Sequence, residues 1–325
     1  MRSLRHFVLP AGTAIFCCAN THAQSQSYPV KPIRLIVPYP PGGSADLIGR
    51  AVNDHLAKRL GQPVIVDNRG GAASIIGAEL TARAPADGYT LLVATVTTLA
   101  VNPAIYRKLP YEVERDFAPV SMLGVSPYLL ALHPGVPARS VAQLVAHARA
   151  NPGKLNFGSA GVGSGGHLAS ELFKHLAGID IVHVPYKGVG AATMDVLGGQ
   201  IALQLASVSI VKPHVDSGRL RGLAVSTARR TAIAPDIPTI DESGIKGYQA
   251  NSWNSLVLPR LTPEPIVRRL NTEITAVLKL PQLMEPLKSQ GIEPEPGSPD
   301  ELARYAREEM IRFRNLINAI GLKQE

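Results

Sequence analysis

Ile33-Arg34-Leu35-Ile36-Val37-Pro38-Tyr39-Pro40-Pro41-Gly42-Gly43-Ser44-Ala45-Asp46 is the stretch from which the fold of this chain can be read. An apolar, β-branched run stops at prolines, turns through Gly42 and Gly43, and reaches Ser44 and Asp46 ahead of Leu47-Ile48. That order describes a buried strand, a tight loop and a helix start. The first N–H groups of a helix have no internal partner and lie at the positive end of its dipole. A carboxylate or phosphate placed there gains hydrogen bonds and charge stabilisation together, and the two glycines let the backbone approach it closely. The same residues also fit an ordinary strand-to-helix turn in which Ser44 or Asp46 only caps the helix.

Downstream, Leu47, Ile48, Ala51, Val52, Leu56 and Leu60 form a helical stripe that ends at Gly61. Pro63 to Asp67 reads as a second strand, Asn68-Arg69-Gly70-Gly71-Ala72 as a second glycine-bearing loop, and Ile75 to Arg83 as its helix. Asp87-Gly88 turns the chain into a strand from Tyr89 to Ala94. Strands alternating with helices at this spacing predict an α/β fold with mainly parallel sheets covered by helices, and a ligand crevice at the carboxyl ends of the strands. Thr97 and Thr98 sit at such an end. They offer hydroxyls to a ligand or form a capped turn into Leu99.

Upstream, Arg2 and Arg5 precede a mostly apolar run from Phe7 to Ala19, and Thr21-His22-Ala23 ends in a small residue before Gln24. This is the pattern of a secretory signal peptide over residues 1–23, cleaved after Ala23. Both cysteines, Cys17 and Cys18, fall inside it, so the exported chain is expected to carry no disulfide and to suit a bacterial periplasm. The 325 residues are 45% apolar and 18% charged, which fits a globular protein of two domains. Loss of Arg2 and Arg5 lowers Lys+Arg from 33 to 31 against 25 acidic residues, a formal charge of +6. These basic residues come singly or in pairs, not as a stripe with aromatics, which argues against nucleic acid and is compatible with acidic small molecules or a merely solvated surface.

Phe117 to Gly124 and Tyr128 to His133 read as two strands separated by a break at Ser126-Pro127, taken as the first crossing between domains. A capping box at Ser140-Val141-Ala142-Gln143 opens the next helix. A second cradle follows in Leu155-Asn156-Phe157-Gly158-Ser159-Ala160-Gly161-Val162-Gly163-Ser164-Gly165-Gly166-His167-Leu168. Gly161, Gly163 and Gly166 satisfy the dinucleotide fingerprint, but the next strand ends in Pro185-Tyr186-Lys187, where that fold needs an acid for the ribose. What survives is the mechanics: backbone amides and serine hydroxyls facing an anion. His167 either donates to a carboxylate or packs and caps. No histidine or cysteine spacing predicts a metal, and neither Ser159 nor Ser164 lies in a nucleophile elbow.

Further α/β units follow to Ser226, and Ser252 to Leu258 reads as the return crossing. It holds the single tryptophan, Trp253, placed either near the cleft or in the core. The remainder is helical, with Ser298-Pro299-Asp300-Glu301 capping a long last helix.

Several stretches together resemble the Bug family, the periplasmic solute receptors of tripartite tricarboxylate transporters: Val37 to Asp46, Val66-Asp67-Asn68-Arg69, Asp87 to Leu92, Asp116 to Val120, Gly158 to Leu168, Val184 to Gly188 and Leu197 to Gln200. The resemblance spans nearly the whole exported chain in order. It implies a two-lobed type II periplasmic binding protein, a Venus flytrap, with residues 28–124 and 250–325 in one lobe and 125–249 in the other. It implies a small carboxylate ligand and integral-membrane transporter subunits as partners, a monomer, no cofactor and no enzymatic activity. Carried over position by position, Gly42, Gly43, Ser44 and Asp46 form one jaw, and Ser159, Ala160, Gly163, Ser164 and His167 the other, with Tyr186 and Trp253 beside the ligand. Asp46 would hold a water, a ligand amine or its own helix end, because a bare carboxylate repels another. The chain departs from the family's usual pattern at Arg69 to Ser74, where a proline and more glycine are common, and at Asn254-Ser255, where an aromatic and a glycine are common. The rival readings are a sensory receptor with a signalling partner and an exported hydrolase or cofactor enzyme.

Overall fold

The first sheet grows from the stretch quoted above. The computed structural model describes residues 28–322, so the leader read at 1–23 lies outside the described residues. The elements run β1 (Ile33–Val37), α1 (Ser44–Leu60), β2 (Val64–Asn68), α2 (Ile75–Ala82), β3 (Thr90–Thr95), α3 (Asn102–Ile105) and α4 (Val113–Asp116), followed by the long β4 (Phe117–Leu132). Next come α5 (Val141–Ala150), β5 (Asn156–Ser159), α6 (Gly165–Ala177), β6 (Val182–Pro185), α7 (Val189–Leu197), β7 (Leu203–Ser207), α8 (Val208–Asp216) and β8 (Arg221–Val225). The chain then returns through β9 (Asn251–Pro259), α9 (Glu264–Leu278), α10 (Pro281–Ser289), β10 (Glu293–Pro294) and α11 (Pro299–Ala319).

The molecule is two-lobed, an α/β periplasmic-binding-protein fold. Strand order is β2-β1-β3-β9-β4-β7-β5-β6, with β8 and β10 also paired to β4. Pairing is parallel in the outer strands, β1 with β2 and β3 and β5 with β6 and β7, and antiparallel wherever β4 or β9 takes part. Alternation along β1 sends Ile33, Leu35 and Val37 toward α1 and α9, and Ile36 toward the opposite face, where it joins Leu92, Val257 and residues of α11. Both faces of the strand are therefore covered, which is why its sequence is apolar at four of five positions. Each such fully buried side chain contributes about 1.5–3 kcal/mol. A second core holds Phe157, Phe173, Leu205 and Tyr248 around β5, β7 and α6.

The break expected at Ser126-Pro127 is absent, because β4 runs through it unbroken. Up to Pro127 the strand pairs with β9, and from Tyr128 onward with β7 and β8. Pro127 lies opposite Asn251, the first residue of β9, at the end of that ladder, where a missing N–H is tolerated. One strand therefore belongs to both sheets. The last helix has the capping box read from its sequence: Glu301 N–H donates to Ser298 Oγ, and Ser298 N–H donates back to Glu301 Oε2. At Ser140 only half of such a box forms, since Gln143 Oε1 accepts from the amide of Arg139 instead.

Candidate functional site

At the first cradle α1 begins directly after the two glycines, with Gly43 in the capping position and no side-chain cap. The amides of Gly43, Ser44 and Ala45 donate to nothing among the described residues, while Gly43 O accepts from Asp46 and Leu47. Asp46 is 2% exposed and turned back on its own loop. Its carboxylate accepts from Gly42 N at 3.0 Å, from Arg50 Nε at 3.0 Å and from Asn68 Nδ2 at 2.9 Å. Burial pushes its pKa up, but the bonds from Arg50, Asn68 and Gly42 outweigh that and hold it below the ordinary carboxylate value. The residue is a clamp that fixes the cradle and neutralises its own charge locally, which leaves the helix end free to face an anion.

The second cradle is built the same way from different parts. Ser164 caps α6 by accepting from the His167 amide, and the amides of Gly165 and Gly166 have no partner among the described residues. The His167 ring is 3% exposed and accepts the Gly163 N–H on Nδ1 at 3.1 Å, so it holds the loop from behind. It stacks on His183 at 4.0 Å between ring centroids, and burial first, then the charges of His183 and Lys174, push its pKa down to about 3. A neutral imidazole that accepts on Nδ1 carries its proton on Nε2, so it has no charge to offer a carboxylate but keeps one N–H. Ser159 Oγ lies 2.7 Å from His183 Nε2 and also accepts from Gly161 N, tying the end of β5 to its loop. Ala160 is exposed at the tip of this loop.

Opposed residues of an antiparallel pair share a face, as do residues two apart on one strand. Asn254 of β9 lies opposite Gly124 of β4, and Ser252 opposite Ser126. This face therefore carries Asn254, Ser252, Gly124, Ser126 and Tyr128 in a row. The first cradle touches one end of the row, where Asn254 Nδ2 lies 3.5 Å from Ser44 Oγ. The second touches the other end: a Cβ built on Gly165 would fall 2.0 Å from Tyr128 Oη, so the phenol lies directly under the start of α6. Four residues of β4 separate the two contacts, roughly 13 Å at about 3.3 Å per residue. Both helix ends thus stand over one short polar floor on the crossing strands.

Other expected site residues lie elsewhere. Thr98 is fully buried and donates to Ser74 Oγ at 2.9 Å, and Thr97 is 6% exposed inside a wide helical turn over 97–101. The Thr98 hydroxyl braces the interior. With Asn102, whose Nδ2 donates to Ala73 O at 2.8 Å, it pins the turn Ala72-Ala73-Ser74, whose φ angles of 45°, 50° and 75° are left-handed. Tyr186 is half-buried beside the second cradle but donates its hydroxyl to Asp195 at 2.6 Å, a bond that pushes the phenol up to about 12. Trp253 corrects the cleft placement, being fully buried against α11, with Nε1 donating to Glu309 and the ring edge-on to Tyr305. Period-two alternation puts it on the opposite face from Asn254.

Sequence reading missed the floor. Its signal was there in Ser126, Ser252 and Asn254, polar residues inside strands whose buried positions are mostly apolar. Among the described residues three buried side-chain polar atoms lack a partner, and two of them are on this floor, Ser126 Oγ and Asn254 Oδ1. Such atoms cost about 1–3 kcal/mol each when nothing meets them, so two on one face are a reason to ask what meets them there.

A family model described as a tripartite tricarboxylate transporter family receptor matches residues 48–322. The chain belongs to that family. Within it, Protein BugT of Bordetella pertussis is 37% identical over 318 residues, covering 98% of this chain and 96% of BugT. Among solved structures, Rpa4515 of R. palustris with adipate superposes with a TM-score of 0.84 at 36% identity, covering 90% of this chain and 98% of that one. MatC of Rhodopseudomonas palustris with bound malate gives 0.80 at 30% identity, covering 89% and 100%. Among the described residues no helix is long and apolar enough to cross a membrane.

Proposed function

We propose that this member of the tripartite tricarboxylate transporter receptor family is an exported periplasmic receptor that captures a small carboxylate between its lobes and presents it to integral-membrane transporter subunits. The observation that carries the reading is the pair of helix starts with free amides, α1 and α6, standing over one face of the crossing strands. A carboxylate held by both bridges the sheets, so its binding energy is available only when the lobes are shut, and the ligand shifts an open–closed equilibrium. The lobes are 28–124 with 250–325, and 125–249, hinged where β4 changes partners and where β9 begins. Residues 1–23 direct export and are removed. The receptor works as a monomer without a cofactor or metal. The relatives solved with adipate and malate support a carboxylate as the ligand class.

A thermal-shift panel of mono-, di- and tricarboxylates and amino acids tests this. A ligand at about a hundred times its dissociation constant adds roughly 2.7 kcal/mol of stability, and it is recovered unchanged. No shift across the panel would refute the receptor reading. The Ser159–His183 contact favours one second reading, a hydrolase with Ser159 as nucleophile. Consumption of esters or amides of the panel acids that stops in Ser159→Ala would establish it. The receptor reading expects no turnover.

A further inference from the structure

We infer that Asn254 is the specificity residue of the cleft, and that the ligand carries a hydrogen-bond donor, a hydroxyl or an ammonium, on the carbon next to the carboxylate held at the start of α1. The inference rests on the receptor reading, in which the lobes part to admit the ligand.

Asn254 is fully buried, yet its carboxamide is only half used. Nδ2 approaches Ser44 Oγ at 3.5 Å, which aims the group at the start of α1, and Oδ1 has no partner among the described residues. A carbonyl oxygen repels a carboxylate oxygen and accepts only from a donor. Beside a helix end that takes the carboxylate, the free Oδ1 therefore selects for a donor one bond away. Fixation strengthens the selection, since Asn254 is held in the middle of β9 between β3 and β4 and cannot swing aside. Ser126 Oγ, equally buried and unpartnered, lies one pleat further along the same face and extends the polar floor toward the second cradle. A ligand lacking polar substituents would leave both atoms unmet, and a site built around buried hydrogen-bonding groups rejects the analogue that lacks them.

The test is calorimetric titration of the exported chain with matched sets: succinate, malate and aspartate; glutarate, 2-hydroxyglutarate and glutamate; adipate, 2-hydroxyadipate and 2-aminoadipate. On whichever skeleton binds, the hydroxyl- or ammonium-bearing acid is expected to bind about tenfold or more tightly than the bare acid. The hydroxyl and amino arms identify which donor is read. Asn254→Leu, similar in shape, is expected to cut the preference to about threefold or less. Asn254→Asp keeps the shape even more closely and reports if the leucine variant does not fold. Its carboxylate is expected to weaken every acid and to move the remaining preference toward the amino member. Equal or tighter binding of the bare acid, or a preference unchanged in both variants, would overturn the inference and leave the receptor reading standing. Failure of all nine acids to bind would overturn this inference, while the carboxylate reading stands or falls on the wider panel.

Discussion

Asp46 is an acid in the first cradle, and its charge is spent on its own loop. Three donors meet one carboxylate that is almost wholly buried. Asp46→Ala strands Gly42 N, Arg50 and Asn68 Nδ2 together. It is expected to cost about 2–3 kcal/mol in urea unfolding and to weaken carboxylate binding by about tenfold or more, as the unclamped loop loses its shape. His167 supplies a pH dependence. Its folded pKa of about 3 lies below the ordinary value of 6.5, so between those values the unfolded chain binds a proton that the folded chain refuses. Stability is full above pH 6.5 and falls as the pH drops toward 3, by up to about 1.4 kcal/mol per unit. Urea titrations from pH 7 to pH 4.5 should show that slope, shallower in His167→Asn, with a remainder from His183, whose pKa burial also lowers.

Between elements, the close approach of α6 to β4 constrains the sequence. Gly165 has no side chain because Tyr128 Oη occupies the space. Gly165→Ala is expected to destabilise by about 1–3 kcal/mol through overpacking. Tyr128→Phe in the same chain should recover a substantial part, a coupling that a double-mutant cycle of melting midpoints measures directly. Two independent losses would show that the helix end does not rest on the phenol. The turn at Ala72 to Ser74 shows a different economy: three left-handed non-glycine residues are held by Thr98 and Asn102 from an adjacent turn. Thr98, which looks like a ligand donor in the sequence, supports this departure from the family's glycine-rich pattern.

Across the whole molecule, β4 passes through both sheets and β9 brings the chain back beside it, so the proposed closure is expected to bend the chain where β4 exchanges β9 for β7 and β8. Small-angle scattering should show the radius of gyration falling when a binding carboxylate is added to the exported chain. An unchanged radius at saturation would mean that capture needs no closure. The second cradle already reaches the first lobe, since a Cβ on Gly163 would lie 3.0 Å from Ile105 Cδ1.

The α/β alternation, both glycine loops, the helix starts and the family were legible in the amino-acid order, because periodicity, prolines and glycines act over a few residues. Only the tertiary structure decided which face each polar residue serves. Trp253 and Asn254 are neighbours in sequence, yet one packs against α11 while the other meets Ser44, since a strand sends successive side chains to opposite faces and only the packed sheets determine what each face meets. His167, Thr98 and Asp46 stand out in the sequence as polar residues near the strand ends, but their partners come from other segments or from the folded loops themselves. Where a hydrogen bond goes is set by that meeting and not by the residue alone.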